Sequence, residues 1–349
     1  MHYINPISVN KHSAYRLIIL SLAVLLFLPM CCKKEVDSKQ PPKDLLAIFQ
    51  QTPDETVKPT IWDTGDTTIS NEDRLDLFYN NVKDIGGGYV GLGGTQNFLL
   101  ASWANSEWIW LFDFTKIVVA TNNIQIAFLK NSSDPESFIQ LWNPKNAKKA
   151  REIISKEYMN HPEHKFILKA LNKVSWFINK RFNILKMLTK KRNYKIWLND
   201  QFYYDRIRKL ALDGKILTLK GDLNGPVTIK GIASTAKKMK VNVRILYFSN
   251  AEEYFKTYSP QFRDNFTQIP IDDQSIVLRT VSIYRRLFPW SPDSEHSTDR
   301  GFHYNVMKAS VLMQWLKDER HFRVADMLKT GKVDKTNGFS LIDVYPVKK

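Results

Sequence analysis

Apolar residues recur along this chain at two spacings, and the spacing changes wherever glycine, proline or asparagine intervenes. "SNEDRLDLFYNNV" (70–82) opens with Ser70 in a helix-capping position and acids in the first turn, with Leu75, Leu77, Phe78 and Val82 as an apolar stripe. "YVGLG" (89–93) reads as a short strand, "TQNFLLASWAN" (95–105) as a helix, and "EWIWLFDF" (107–114) as a buried strand. "KIVVATNNIQIAFLK" (116–130) follows as a second helix. Strand and helix therefore alternate, which predicts a parallel sheet with crossover helices.

Residues 134–192 interrupt the alternation. "SDPESFIQLWNPKNAKKAREIISKEY" and "HKFILKALNKVSWFINKRFNILKMLTKKR" carry apolar residues three and four apart, the pattern of amphipathic helices. They predict a helical insertion over 131–194. The alternation then resumes. "KIWLND" (195–200) suits a short strand, 201–212 a helix, 215–223 a strand, and 225–239 a helix with Pro226 in its first turn. A strand begins at 241 and turns at Ser249-Asn250. Residues 274–284 suit a strand, 304–319 a helix, and 338–346 a last strand. The fold class expected is α/β, three-layered and mainly parallel, with one α/β domain over 70–349.

The N-terminus changes the picture of where such a domain would sit. Lys11, His12 and Arg16 precede "LIILSLAVLLFL" (17–28), an apolar run too short to span a bilayer and suited to a signal peptide over 1–31. Cys31 and Cys32 follow at once and are the chain's only cysteines. A cysteine directly after the apolar run resembles the lipobox of bacterial lipoproteins, with Cys32 favoured over Cys31 for lipidation. No disulfide within the mature body and no cysteine-ligated zinc is then expected. Residues 32–69 are rich in Lys, Pro, Asp and Thr and read as a solvated tether. The expected location is the bacterial cell envelope, with the membrane as a partner through the lipid anchor.

Charge adds a second constraint. The net charge is +16, and residues 145–195 hold fifteen Lys or Arg against three Glu. An exported lipoprotein meets little nucleic acid, so these basic faces point instead to anionic head groups and leave open an acidic glycan, lipid or protein partner.

In parallel sheets ligands bind beyond the carboxyl ends of the strands. The polar residues at those ends are Gly91 to Asn97, Asp113, Asp222, Ser249 to Tyr254, and Arg279. The glycine-rich run "GGGYVGLGGTQN" (86–97) lies at the first of them. It lacks the third glycine of a dinucleotide fingerprint. The order of these motifs resembles the core of class I S-adenosylmethionine-dependent methyltransferases, and so implies a Rossmann-like fold. On that resemblance Gly91 and Gly93 form the turn against the cofactor, with Gln96 and Asn97 beyond it. Asp113 at the second strand end binds the ribose hydroxyls, and Asp222 of "KGDL" faces the adenine. The fourth strand end supplies Asn250, Glu252 and Tyr254 as active-site residues. Asp200 of "IWLND" is a rival ribose acid. The chain departs from the family by having Tyr89 and Val90 where an acid usually precedes the glycines, and by its long insertion.

Other chemistries are weaker in the sequence. "HPEH" (161–164) sets His161 and His164 near each other, but Pro162 favours a loop, and no metal site is expected. His303 beside Tyr304 suits a core or surface histidine better than a proton-transfer residue. No nucleophile elbow, zinc-protease motif or P-loop occurs. The expected function is a membrane-anchored lipoprotein that binds a ligand or partner through a methyltransferase-like fold. The alternative is an S-adenosylmethionine-dependent methyltransferase, with S-adenosylmethionine as its cofactor.

Overall fold

The structure, a computed structural model, describes residues 43–282 and 301–346. The expected signal peptide and both lipobox cysteines lie outside the described residues. The described residues form eight strands: β1 (Gly88–Leu92), β2 (Trp108–Asp113), β3 (Ile216–Lys220), β4 (Val243–Ser249), β5 (Ile276–Ser282), β6 (Phe302–Lys308), β7 (Lys332–Asp334) and β8 (Phe339–Ile342). They form one sheet in the order β3-β2-β1-β4-β5-β6-β8-β7. The first five in that order are parallel. β6 runs antiparallel to β5, β8 parallel to β6, and β7 antiparallel to β8. The sheet is mixed but mostly parallel, and the class is α/β.

Successive strand residues face opposite sides, and both sides are buried. Tyr89, Ile109, Leu111 and Tyr247 belong to one apolar core, while Val90, Leu92, Trp110 and Phe112 belong to another. Burial on both faces accounts for the near-continuous apolar runs "WIWLFD" and "VRILYFS". The first core is closed by α3 (Gln96–Ala104), α4 (Lys116–Lys130), α7 (His164–Arg192) and α8 (Gln201–Leu212). The second is closed by α1 (Lys43–Gln50), α9 (Thr228–Met239), α10 (Pro260–Thr267) and α11 (Ala309–Lys317).

The insertion lies over α4, whose residues from Ile117 to Leu129 are all buried. A helix buried on every side needs a second layer, and α6 (Ala147–Glu157) and α7 supply it. The first predicted insertion helix is broken in two. Asn143 accepts from the Lys145 amide and Pro144 opens a new turn, so α5 (Pro135–Gln140) and α6 are separate. α7 buries Ile167, Leu171, Val174, Ile178, Phe182 and Leu185 and turns its lysines outward.

Several sequence expectations are corrected. "KIWLND" is not a strand: Ile196, Trp197 and Leu198 are buried in a turn closed by Asn199, whose side chain accepts from the Ile196 amide. Residues 304–308, expected as the start of a helix, belong to β6, and helix begins only at Ala309. Pairing with β5 on one side and β8 on the other overrides the local pattern. Ser70 caps no helix. Its hydroxyl donates to Glu72 and accepts from the Glu72 amide, and the α-helical turn α2 (Tyr79–Val82) starts later.

The tether expectation fails from residue 43 onward. α1 packs on α9, and Phe49 is fully buried with its ring centroid 5.0 Å from those of Trp108 and Trp110. Its polar composition hid one apolar anchor per turn. Among the described residues no helix is long and apolar enough to cross a membrane.

Candidate functional site

A cleft of about 470 Å³ opens over the carboxyl ends of β1 to β4. The chain reverses direction across the sheet here, because β2 and β3 lie on one side of β1 and β4 and β5 on the other. Crossover connections leave this way in opposite directions, so among the described residues no helix covers the gap.

Its floor is the glycine turn. Gly93 takes a φ of +91°, a conformation that other residues rarely adopt. The turn is held from below. Asn97 Nδ2 donates to the Leu92 and Gly94 carbonyls, and Asn122 Nδ2 to the Gly93 carbonyl. Asn97 Oδ1 accepts from the Tyr89 hydroxyl at 2.8 Å. A Cβ at Gly91 would lie 2.1 Å from that Oδ1. Gly91 and Asn97 therefore do not line the cleft. Gly91 is glycine to make room for Asn97, and Asn97 spends its hydrogen bonds on the turn. Gly93, Gly94 and Gln96 do line it. Gln96 is buried, and its Oε1 has no hydrogen-bond partner. A buried carbonyl oxygen left without a donor is costly, so a donor from a ligand would relieve it.

Asp113 lines the same cleft at the end of β2. Its Oδ1 accepts from the Thr115 amide at 2.8 Å and from the Thr115 hydroxyl at 2.7 Å. Burial raises its pKa to about 6 against the pull of those hydrogen bonds, and the nearby Asp63 carboxylate adds to the rise. Asp63 is held in turn by the Ile117 amide at the start of α4. Asp222, beyond the neighbouring strand β3, is exposed and accepts from the Asn224 amide at 2.7 Å; the amide of Gly221 just before it donates to the Asp113 carbonyl at 3.0 Å. Asp200, the rival acid, lies elsewhere: it caps α8 by accepting from the Phe202 amide.

The end of β4 divides the three candidate catalytic residues. Asn250 and Tyr254 line the cleft. Glu252 does not. It is buried in an ion pair with Arg279 at 2.5 Å and accepts from the Tyr258 hydroxyl. The acid that the sequence offered for chemistry is spent on joining β5 to the turn after β4.

Residues 67–343 match the family described as Domain of unknown function (DUF7790). The chain belongs to this family. No curated protein matches it. The matched region holds the sheet, the glycine turn and both aspartates. Two contributors to the cleft region lie before it. Trp62 stands at the rim. Glu55 folds across the turn after β3, where its carboxylate accepts from the amides of Asp222, Val227 and Thr228. It thereby satisfies the N-terminus of α9, which starts at Thr228 rather than at the predicted 225.

Sequence reasoning also missed Glu72. This carboxylate is 1% exposed and receives four hydroxyls: Ser70 at 2.8 Å, Thr280 at 2.7 Å, Ser249 at 3.2 Å, and Tyr247. Ser70 and Ser249 also line the cleft, so Glu72 fixes its polar end from beneath. The signal was the cluster of hydroxyls at the ends of β4 and β5, which is visible only once the strands are paired. His161 Nδ1 accepts from the Glu163 amide. Among the described residues no group of three His, Cys, Asp or Glu is arranged to hold a metal ion.

Proposed function

We propose that this protein is a bacterial cell-envelope lipoprotein, anchored through Cys32 or Cys31, whose Rossmann-like domain binds a small nucleoside-class ligand in the cleft. The observation that carries the reading is the convergence of Asp113, Asp222 and the Gly93-Gly94 turn on one cavity. A carboxylate accepts two hydrogen bonds from neighbouring hydroxyls, which suits a ribose. Glycine lets a ligand approach the backbone, and Gln96 Oε1 awaits a donor. Phe114, beside Asp113 and partly exposed, offers a flat apolar face to a base.

The test is thermal shift on the full-length protein in detergent with adenosine, nucleotide sugars and S-adenosyl compounds, since a ligand of the native state raises Tm by mass action. Asp113→Ala is expected to weaken binding at least about tenfold, because hydrogen bonds to a charged group are worth roughly 1.5–3 kcal/mol each. No shift with any compound would sink the reading. Anchoring is tested separately: palmitate labelling and detergent partitioning should both vanish in a Cys31→Ser, Cys32→Ser variant.

A second reading is methyl transfer from S-adenosylmethionine. Among the described residues, two aspartates and no Lys, Arg or His line the cleft, although the chain carries a net charge of +16. That lining suits a sulfonium cation better than a phosphate. The cofactor would supply the methyl group, Asp113 and Asp222 would hold its adenosine, and Asn250 and Tyr254 would flank the acceptor. Binding of S-adenosylhomocysteine with no transfer to any envelope extract would favour the binding reading over this one.

A further inference from the structure

Six of the eleven large exposed apolar side chains of the described surface, Ile61 among them, gather at the cleft rim and on the outer face of α7. Trp62, Phe114 and Tyr254 stand at the rim of the cleft. Trp176 and Met187 are 60% and 62% exposed, about three turns apart on the outer face of α7. Between them Asn179, Lys180, Asn183 and Ile184 complete a shallow apolar groove. Two contacts join this helix face to the rim. Lys173 Nζ donates to the Asp63 carbonyl, and Gly65 sits against the Phe177 ring, so the segment bearing Ile61 and Trp62 rests on α7. Ile184 also borders a depression that reaches Thr67, Asn71 and Asn250, all of them cleft-lining residues.

The charge of α7 itself has one sign, although Asp66 is exposed in the depression between this helix and the cleft. α7 is 29 residues long and contains no Asp or Glu. Arg181 and Lys186 are engaged with Asp73 and Glu136. Lys169, Lys180, Lys190 and Lys191 are exposed, and Lys180 Nζ lies 4.9 Å from the centre of the Trp176 ring. A helix face that is merely solvated has no use for an exposed tryptophan and tolerates acids among its bases. Aromatic and apolar tips set among lysines suit the boundary between head groups and acyl chains of an anionic bilayer.

We propose that α7 and the aromatic rim dock on an anionic bilayer surface, so that the cleft opens at the level of the head groups. The inference goes beyond the ligand reading and does not rest on it. Ligand-induced thermal shift is read in detergent, whereas docking is read on vesicles.

Full-length protein is incorporated into vesicles of phosphatidylcholine alone and of phosphatidylcholine mixed with phosphatidylglycerol, then oxidised with hydroxyl radicals and mapped by mass spectrometry. Both vesicles accommodate the N-terminal segment, so proximity is matched. Trp176 and Met187 should be protected only on the anionic vesicles. Leu212, half exposed beside the start of β3 and so at the opposite end of the sheet, should oxidise equally on both. In Lys169→Gln, Lys180→Gln, Lys191→Gln the docking constant should fall on the order of 100-fold, since each lysine near an anionic leaflet is worth about fivefold. Equal oxidation of Trp176 on the two vesicles, protected or not, would overturn the proposal. Protection by heparin with none from anionic vesicles would also overturn it and assign the face to an acidic polymer.

Discussion

On the proposed reading, Asp113 sets ligand recognition against stability. Its folded pKa of about 6 stands above the ordinary 3.8, so the folded state holds the proton more tightly than the unfolded one. Below pH 4 both states are protonated and the residue costs nothing. Stability then falls as pH rises from about 4 to 6, and above 6 the full penalty of about 3 kcal/mol applies. Asp113→Asn keeps an acceptor for Thr115 and removes the charge. It should match the wild type near pH 4 and exceed it at pH 7, while ligand affinity drops. A stability gain that does not change across that range would refute the account. At this scale the sequence was partly legible. Asp113 and Asp222 stand out because a strand end followed by an acid is a local pattern. Gly91, Glu72 and Glu252 were not legible. Each serves a partner reached only through the fold: Asn97 across the turn, four hydroxyls from three segments, and Arg279 on the next strand.

Elements were read well where burial and local pattern agree. The helices at 116–130 and 201–212 and the five parallel strands follow from periodicity alone. Residues 304–308 show where that fails, because a short buried run reads the same in strand and helix. Two devices hold this half of the sheet. Arg279 on β5 meets Glu252 and Asn305, tying β5 to the β4 turn and to β6. Arg279→Met would leave the Glu252 carboxylate buried without its guanidinium, and a loss of about 3–5 kcal/mol is expected in denaturant titration. The double variant Arg279→Met, Glu252→Gln should recover part of it; no recovery would show that the guanidinium acts through packing. On β6, His303 bonds Ser340 of β8 at 2.9 Å, and burial lowers its pKa to about 4. The folded state therefore resists protonation while the unfolded state accepts it below about 6.5. Stability should fall by about 3 kcal/mol as pH drops from 6.5 to 4, and His303→Gln should flatten that part of the profile.

The whole molecule extends beyond its family region. The family match begins at residue 67, and composition marks residues 32–69 as solvated chain. The fold uses that chain as a strap. Phe49 fills the space between Trp108 and Trp110, Thr52 accepts from the Trp110 indole at 3.1 Å, Glu55 caps α9, and Trp62 reaches the cleft rim. Hydrophilic composition concealed this because each segment of the strap contributes one anchor and stays wet elsewhere. Deleting residues 43–60 removes a buried phenylalanine, worth about 3–5 kcal/mol, and the α9 cap, worth about 1 kcal/mol. A chain beginning at residue 61 should therefore unfold at a Tm lower by roughly 10 °C or more, at about 2–4 °C per kcal/mol for a domain of this size. It should also bind a hydrophobic dye through the uncovered Trp108 and Trp110. Phe49→Ala in the full chain should reproduce most of the loss, and Glu55→Gln only the small part due to the cap. If the shortened chain melts with the full-length protein, the strap is a passive contact. In that case the family region alone carries the fold.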